Sequence, residues 1–329
     1  MIETIRQGLK ADGIHVSLSK LCHWFAVPRR TVYYRPTKAV PKVDARFAAP
    51  IKTMIEENPS FGYRTVAHLL DILQVPYTGS NPFTLSLCLD KIRVKKLFAF
   101  HHIPTPRWDY LYDRDEAFDE NFPLPAIVKP ANSDSSLGIT NESVVESHAA
   151  LKKRIAYVLE ELKRPALIEE FIDGDEYDVS ILGNWDDKQR VLPLSRSVFK
   201  GLPEGYWHMY PYEAKFLGSV VHKQGIEVQR PPRGVAGKLT SLISEIALDA
   251  LNVVGCSDYG RVEVRVDKNG NPCVLEVNPN PSIGPTDCVP SVAALAGMNY
   301  GDFLEEILRL AIRRYRDRPP YYHLQMSTL

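Results

Sequence analysis

Two short segments toward the carboxyl end carry residues that could hold a metal ion. GRVEV, residues 260–264, and LEVN, residues 275–278, read as strands by alternation, so Glu263 shares a face with Arg261, and Glu276 shares one with Asn278. The joining KNGN contains an Asn-Gly pair, a strong hairpin signal. A hairpin would bring all four side chains to one surface. Two carboxylates and an amide oxygen suit magnesium, a hard cation that completes its shell with phosphate and water oxygens. Arg261 beside it would neutralise charge developing on a transferred phosphoryl group or a tetrahedral intermediate. The same alternation also describes an exposed hairpin of alternating charge, and spacing leaves both readings open.

Three lysines extend the pattern. Lys91 follows Asp90, Lys129 ends PAIVKP, and Lys215 lies in YPYEAKFL. Lysines from separate segments converging on one triphosphate make physical sense, because the nucleotide brings several negative charges into a partly dry cleft. Any one of them alone is more often a surface solubiliser.

The elements that must position these groups are legible from Asp71 onward. VPYTGSNPF is turn-rich, TLSLCLDKIRVKKLFAFHH has the spacing of one amphipathic helix, and PAIVKP is a short apolar strand. A helix is expected over 144–163, then the strand ALIEEFI, a turn at Asp173 and Gly174, and the strand EYDVSILGN. The stretch from about 196 to 236 is too long for an ordinary connection and reads as a functional loop region. The helix GVAGKLTSLISEIALDALNV, the hairpin and a helix over 300–316 complete the order.

Composition narrows the class. A chain of 329 residues with 44% hydrophobic content can bury a substantial core and suggests two or three domains. No run approaches the ~18 to 20 apolar residues of a membrane span, and the start lacks a signal peptide's apolar run, so the expected location is the cytoplasm. The cysteines Cys22, Cys88, Cys256, Cys273 and Cys288 are scattered, without the close pairs of a zinc site, and read as reduced packing residues. Charge is uneven: residues 1–70 hold eleven Lys/Arg against five Asp/Glu, a net +6, so the remainder is −6.

With these segments in view, the region from about 71 to 315 resembles the D-alanine:D-alanine ligases of the ATP-grasp family. DKIRVKKLF, IVKP with the Ser135-Ser136-Leu137-Gly138 loop, LIEEFIDGDEY, YEAKFL, GRVEV and LEVNPNPS follow in that family's order and approximate spacing, after a matching VPYTGS. The resemblance implies an α+β fold of two subdomains, 71–172 and 173–316, clasping ATP, with a tail at 317–329. It implies that Lys91, Lys129 and Lys215 contact phosphates, that Glu169, Phe171 and Ile172 hold adenine, and that Glu176 binds ribose, with Leu275 also on the nucleotide. It implies that Glu263, Glu276 and Asn278 hold magnesium or manganese, that Arg261 stabilises the intermediate, and that Ser135 and Ser136 sit in a loop over the phosphates. Ser135 and Lys215 join Arg261 as expected catalytic groups. The implied reaction joins a small carboxylate to an amine, or to a hydroxyl, through an acyl phosphate.

Four positions depart from that pattern. Asp134 stands where glycine is usual and adds a repelling charge beside phosphate. Asp287 stands where a serine receives the second substrate's carboxylate, Glu263 where aspartate is common, and Phe216 where tyrosine is frequent. The family's separate amino-terminal domain, which supplies part of the first substrate's pocket, is replaced here by a different segment.

That segment, residues 1–70, reads as a small all-helical domain, with Val16, Leu18, Leu21, Phe25 and Val27 on one buried face. VSLSKLCHWFAVPRRTVYYRP followed by IKTMIEENPSFGYRTVAHLL resembles the helix-turn-helix part of insertion-sequence transposases. The resemblance implies DNA binding through Arg29, Arg30 and Thr31, strongly salt-dependent. A fused remnant that has lost catalysis but keeps nucleotide or DNA binding is the alternative to a working ligase.

Overall fold

The computed structural model describes residues 2–11, 15–18, 20–21, 52–53, 56, 62–72, 75–185 and 188–317. The chain falls into two compact units, residues 1–60 and 61–329. In the first, helix α1 spans Ile2–Ala11, and Leu18 and Leu21 are buried. Arg29, Arg30 and Thr31, with the expected recognition helix and the apolar positions Phe25 and Val27, lie outside the described residues.

The second unit opens with helices α2 (Tyr63–Ile72), α3 (Pro82–Leu89) and α4 (Lys91–Phe100). Sequence periodicity predicted one helix where α3 and α4 stand. The break is made by Asp90, whose backbone leaves helical geometry (φ −89°, ψ 87°) while its carboxylate accepts the N–H of Arg93 at 3.1 Å. An aspartate that caps a following helix satisfies one of its orphan donors, and this compensates for interrupting the apolar stripe. Lys91 is thereby the first residue of a helix, with its N–H on the carbonyl of Ala131.

Two antiparallel sheets follow, making the fold α+β as expected. The first has the order β1 (Trp108–Leu111), β4 (Ala166–Glu170), β2 (Ala126–Pro130), β3 (Val144–Val145). It is covered by α5 (His148–Ala156), which puts Leu151 and Ile155 against Val128 and Ile168. The helix predicted over 144–163 thus starts late. Val144 and Val145, β-branched, pair instead with Ile127 and Ala126, and Ser147 caps the helix through the N–H of Ala150.

The second sheet runs β10 (Pro272–Asn278), β9 (Tyr259–Val266), β5 (Asp175–Leu182), β7 (Ser195–Val198), β8 (Glu227–Gln229), with β6 (Arg190–Val191) on β5. The presumed loop from 196 to 236 therefore contains most of one strand, all of another, and two short helices, α6 (Tyr212–Phe216) and α7 (Val220–Gly225). Helix α8 (Gly237–Val253) presents Ile243, Ile246, Ala247, Ala250 and Leu251, a stripe at helical spacing. That stripe packs on Tyr177, Val179, Val262, Val264, Val274 and Val277, one face of the sheet. Helices α9 (Cys288–Leu295) and α10 (Tyr300–Asp317) close a separate core around Phe303 and Tyr259. Among the described residues no helix is long and apolar enough to cross a membrane.

Candidate active site

Because strand side chains alternate, the face of the second sheet opposite α8 receives the residues between the valines. It is polar. Glu176, Asp178 and Ser180 of β5 stand opposite Arg265, Glu263 and Arg261 of β9. On the far side of β9, Glu276 pairs with Glu263 and Asn278 with Arg261. The four side chains that the hairpin signal singled out are therefore adjacent.

The turn joining β9 and β10 would not achieve this alone. Gly270, with φ 84°, ends a short loop whose N–H bonds return to Asp267, and pairing begins with Val266 opposite Pro272. Continued without interruption, that register would set Glu276 opposite Val262, on the core face. A bulge between Val274 and Glu276 inserts Leu275 as an extra residue. Beyond it Val277 pairs with Val262 in the core, and Glu276 joins Glu263 on the polar face.

This face lines a cleft of about 790 Å³ with Lys91, Lys129, Ser136, Phe171, Ile172, Glu176, Lys215, Leu275 and both hairpin glutamates. Lys91 donates to the carbonyl of Ser133 at 2.7 Å and lies 3.2 Å from Glu276. Burial alone would raise the carboxyl of Glu276, yet Lys91, Lys215 and Lys129 hold it down at about 2. Glu263 goes the other way, pushed up to about 7 by burial and then by Glu276 across the strands. Burial would depress Lys91 and Lys215, but the surrounding carboxylates raise both. Arg261 donates to Glu263 at 2.9 Å and forms an ion pair with Asp178 at 3.2 Å; burial opposes its charge, and those two carboxylates outweigh it.

Glu169, expected at the adenine, lines the same cleft as a buried carboxylate. Its side chain is 2% exposed and clamped between Lys95 at 2.5 Å and Lys129 at 2.6 Å. Burial would raise its carboxyl, but the two ammoniums take it down to about 2. Sequence reasoning missed Lys95, which is 1% exposed and also donates to the hydroxyl of Thr105, itself bonded to the carbonyl of Val274. It missed Arg265 as well. That guanidinium bonds to Glu176 at 2.7 Å and to the carbonyl of Ile172 at 3.0 Å, tying the segment between β4 and β5 to β9. The only signal was position: Arg265 follows Glu263 by two, and Lys95 follows Lys91 by four, one helical turn.

Ser135 and Ser136 have left-handed backbones (φ 57° and 58°), and Ser136 donates to the carbonyl of Tyr210 at 3.3 Å. Ser136 lines the cleft; Ser135 and Arg261 do not, and Asn278 lines an adjoining cavity. Asp134 accepts the N–H of Ser135, and Asp287 accepts the hydroxyl of Ser282 and the N–H of Gly284, so both unusual aspartates are engaged by their own loops. The side chain of Phe216 and residue Cys22 lie outside those described. Cys88, Cys256, Cys273 and Cys288 are free thiols, and burial pushes Cys273 up to about 12 and Cys288 to about 11, as packing residues require.

Comparison with known proteins agrees with this geometry. The D-ala D-ala ligase C-terminus family model matches residues 98–309. An uncharacterized protein of Sinorhizobium fredii is 32% identical over 255 residues, spanning 78% of this chain and 72% of that one. The D-alanine–D-alanine ligase of Carboxydothermus hydrogenoformans is 33% identical over 253 residues, 74% of this chain and 75% of the enzyme. The solved D-alanine–D-alanine ligase from Bacillus anthracis shares the fold with a TM-score of 0.63 at 26% identity, covering 77% of each chain. A structure of the same enzyme complexed with ATP gives 0.62 at 24% identity, a likeness of fold.

Proposed function

The chain belongs to the D-alanine–D-alanine ligase family and is an ATP-dependent ligase forming carbon–nitrogen bonds, and on that premise we propose that it works through an acyl phosphate. An oxygen of the donor carboxylate attacks the γ-phosphorus while the bond to the bridging oxygen breaks and ADP leaves. The acceptor nitrogen then attacks the acyl carbon, inorganic phosphate departs, and the amine's proton goes to solvent. What supports this reading is one observation: the bulged hairpin presents two carboxylates beside a cleft walled by lysines.

In this reading Lys91, Lys129 and Lys215 bind the phosphates, and Arg261 steadies charge on the reacting centre. Glu176, Phe171, Ile172 and Leu275 receive the nucleoside, with 71–172 and 173–316 as the clasping subdomains. Glu263, Glu276 and Asn278 offer an oxygen-only donor set that fits magnesium or manganese, and such an ion would neutralise phosphate charge. Ser135 and Ser136 cover the phosphates. A donor labelled with heavy oxygen in its carboxylate is expected to pass one labelled atom to the released phosphate; amide product with unlabelled phosphate would exclude the acyl phosphate.

Glu263 sets a pH dependence. With a carboxyl at about 7 in the metal-free protein, it must lose a proton before coordinating. Magnesium affinity should therefore fall by up to about tenfold per pH unit below about pH 7 and level off above it. The metal-free protein itself should lose stability as pH rises from about 4.5 to about 7, because the native state keeps a proton that the unfolded chain releases. Calorimetric magnesium titrations with a non-hydrolysable ATP analogue at stepped pH would show it, and a flat profile rules Glu263 out as the ligand that titrates.

A further inference from the structure

Three carboxylates stand side by side across the polar face of the second sheet, and the proposed chemistry uses two of them. Asp178 of β5 lies directly opposite Glu263 of β9, which in turn lies opposite Glu276 of β10. Directly opposed residues on antiparallel strands have Cβ atoms only ~4.5–5.5 Å apart, so two carboxylates placed this way repel each other. Arg261 relieves the contact. Its own cross-strand partner is Ser180, yet its side chain runs along β9: Nη2 donates to Glu263 at 2.9 Å, and Nε lies 3.2 Å from Asp178. The other oxygen of Asp178 faces the thiol of Cys288, the first residue of α9, at 3.9 Å. The guanidinium thus stands between Asp178 and Glu263.

We propose that Asp178 is a positioning residue: it holds Arg261 at the reacting centre and so leaves Glu263 available to magnesium. The inference rests on the cleft being the ATP site and on Glu263 being a metal ligand. The side chain of Arg261 is only 20% exposed, and a guanidinium largely shut off from water needs a counter-charge. With Asp178 present, it keeps one when Glu263 turns to the cation. Without Asp178, Glu263 is its remaining named carboxylate, and the arginine draws that group away from the metal. The pairing through Nε also fixes direction, because the Nη2 donor that Glu263 gives up becomes free for an oxygen of the reacting centre.

Magnesium affinity, read by calorimetry on the intact protein with a non-hydrolysable ATP analogue, tests this without knowledge of either substrate. Asp178→Asn is expected to weaken magnesium binding about tenfold, the scale of one charge-assisted hydrogen bond, and to leave magnesium-free binding of the analogue unchanged. Asp178→Glu keeps the charge and should recover part of the loss. The deciding measurement is a double-mutant cycle. In an Arg261→Met background the same Asp178→Asn change should alter magnesium affinity by less than about twofold, because a residue that acts through Arg261 has nothing left to act on. An equal loss in both backgrounds would mean that Asp178 attracts the metal by its own charge, and an unchanged affinity in Asp178→Asn would mean that Arg261 needs no second carboxylate; either result overturns the assignment. Where Asp178→Asn alone does not fold, Asp178→Glu takes its place in the cycle, and an equal effect in both backgrounds again overturns it. A wild type that binds the analogue but not magnesium removes the metal reading first, and the inference with it.

Discussion

Glu276→Ala is expected to abolish magnesium-dependent ATP binding at micromolar nucleotide and to slow ADP release about 10³-fold, the scale of losing one preorganised electrostatic contact. Three lysines face this carboxylate, hold it ionised down to about pH 2, and would otherwise repel one another. Its removal takes away a metal oxygen and leaves Lys91 with the carbonyl of Ser133 as its remaining named contact in the wall. Glu276→Gln is the sharper comparison, since it keeps the volume and one acceptor oxygen but not the charge. Calorimetry with an ATP analogue, with and without magnesium, measures the binding directly. Wild-type affinity in Glu276→Ala, in a protein with an unaltered melting curve, would move the metal site elsewhere.

Glu169→Gln should cost about 3–5 kcal/mol of stability at neutral pH, because it strands Lys95, 1% exposed, without its counter-charge. Burial already lowers the pKa of Lys95 against the pull of Glu169, so the variant should lose that proton more readily still. The double variant Lys95→Met with Glu169→Gln should recover most of the loss, since replacing both charges avoids the orphan. The pH dependence has a definite sign. Glu169 has its carboxyl depressed to about 2, so its contribution is complete above about pH 4.5 and vanishes as pH falls toward about 2. Urea unfolding of the single and double variants tests this; a double variant no more stable than Glu169→Gln would mean that the buried charge is not the cause.

Much of the site could be read from residue order. The Asn-Gly turn, the two alternating segments and the three lysines made Glu263, Glu276, Lys91, Lys129 and Lys215 candidates, and the order of the ligase-like motifs was needed to assign them to one site; the structure brings them to one cleft. Lys95 and Arg265 were not legible, because a lysine or arginine in a motif is ordinarily a surface group, and only packing reveals one that is buried and paired. The division between α3 and α4 was hidden for a related reason. The apolar period continues through Asp90, and a cap betrays itself by backbone geometry rather than by composition. Similarly, Val144 and Val145 fit a helix by hydrophobicity and a strand by shape, and the exposed edge of β2 decided between them.

The extra residue at Leu275 has a consequence for how this hairpin can change. A strand has only two states of parity, and the bulge flips parity between the turn and the cleft end. Lengthening the turn beyond Asp267 leaves the cleft end in frame, and so does deleting Leu275, after which Glu276 follows Val274 directly and still meets Glu263; regularising the strand with Leu275 kept in the ladder puts the whole distal end out of frame. Glu276 and Asn278 would then point at the packing of α8, and Val277 would enter the cleft. The site and the core are thus alternative readings of one strand, and a single residue sets the frame.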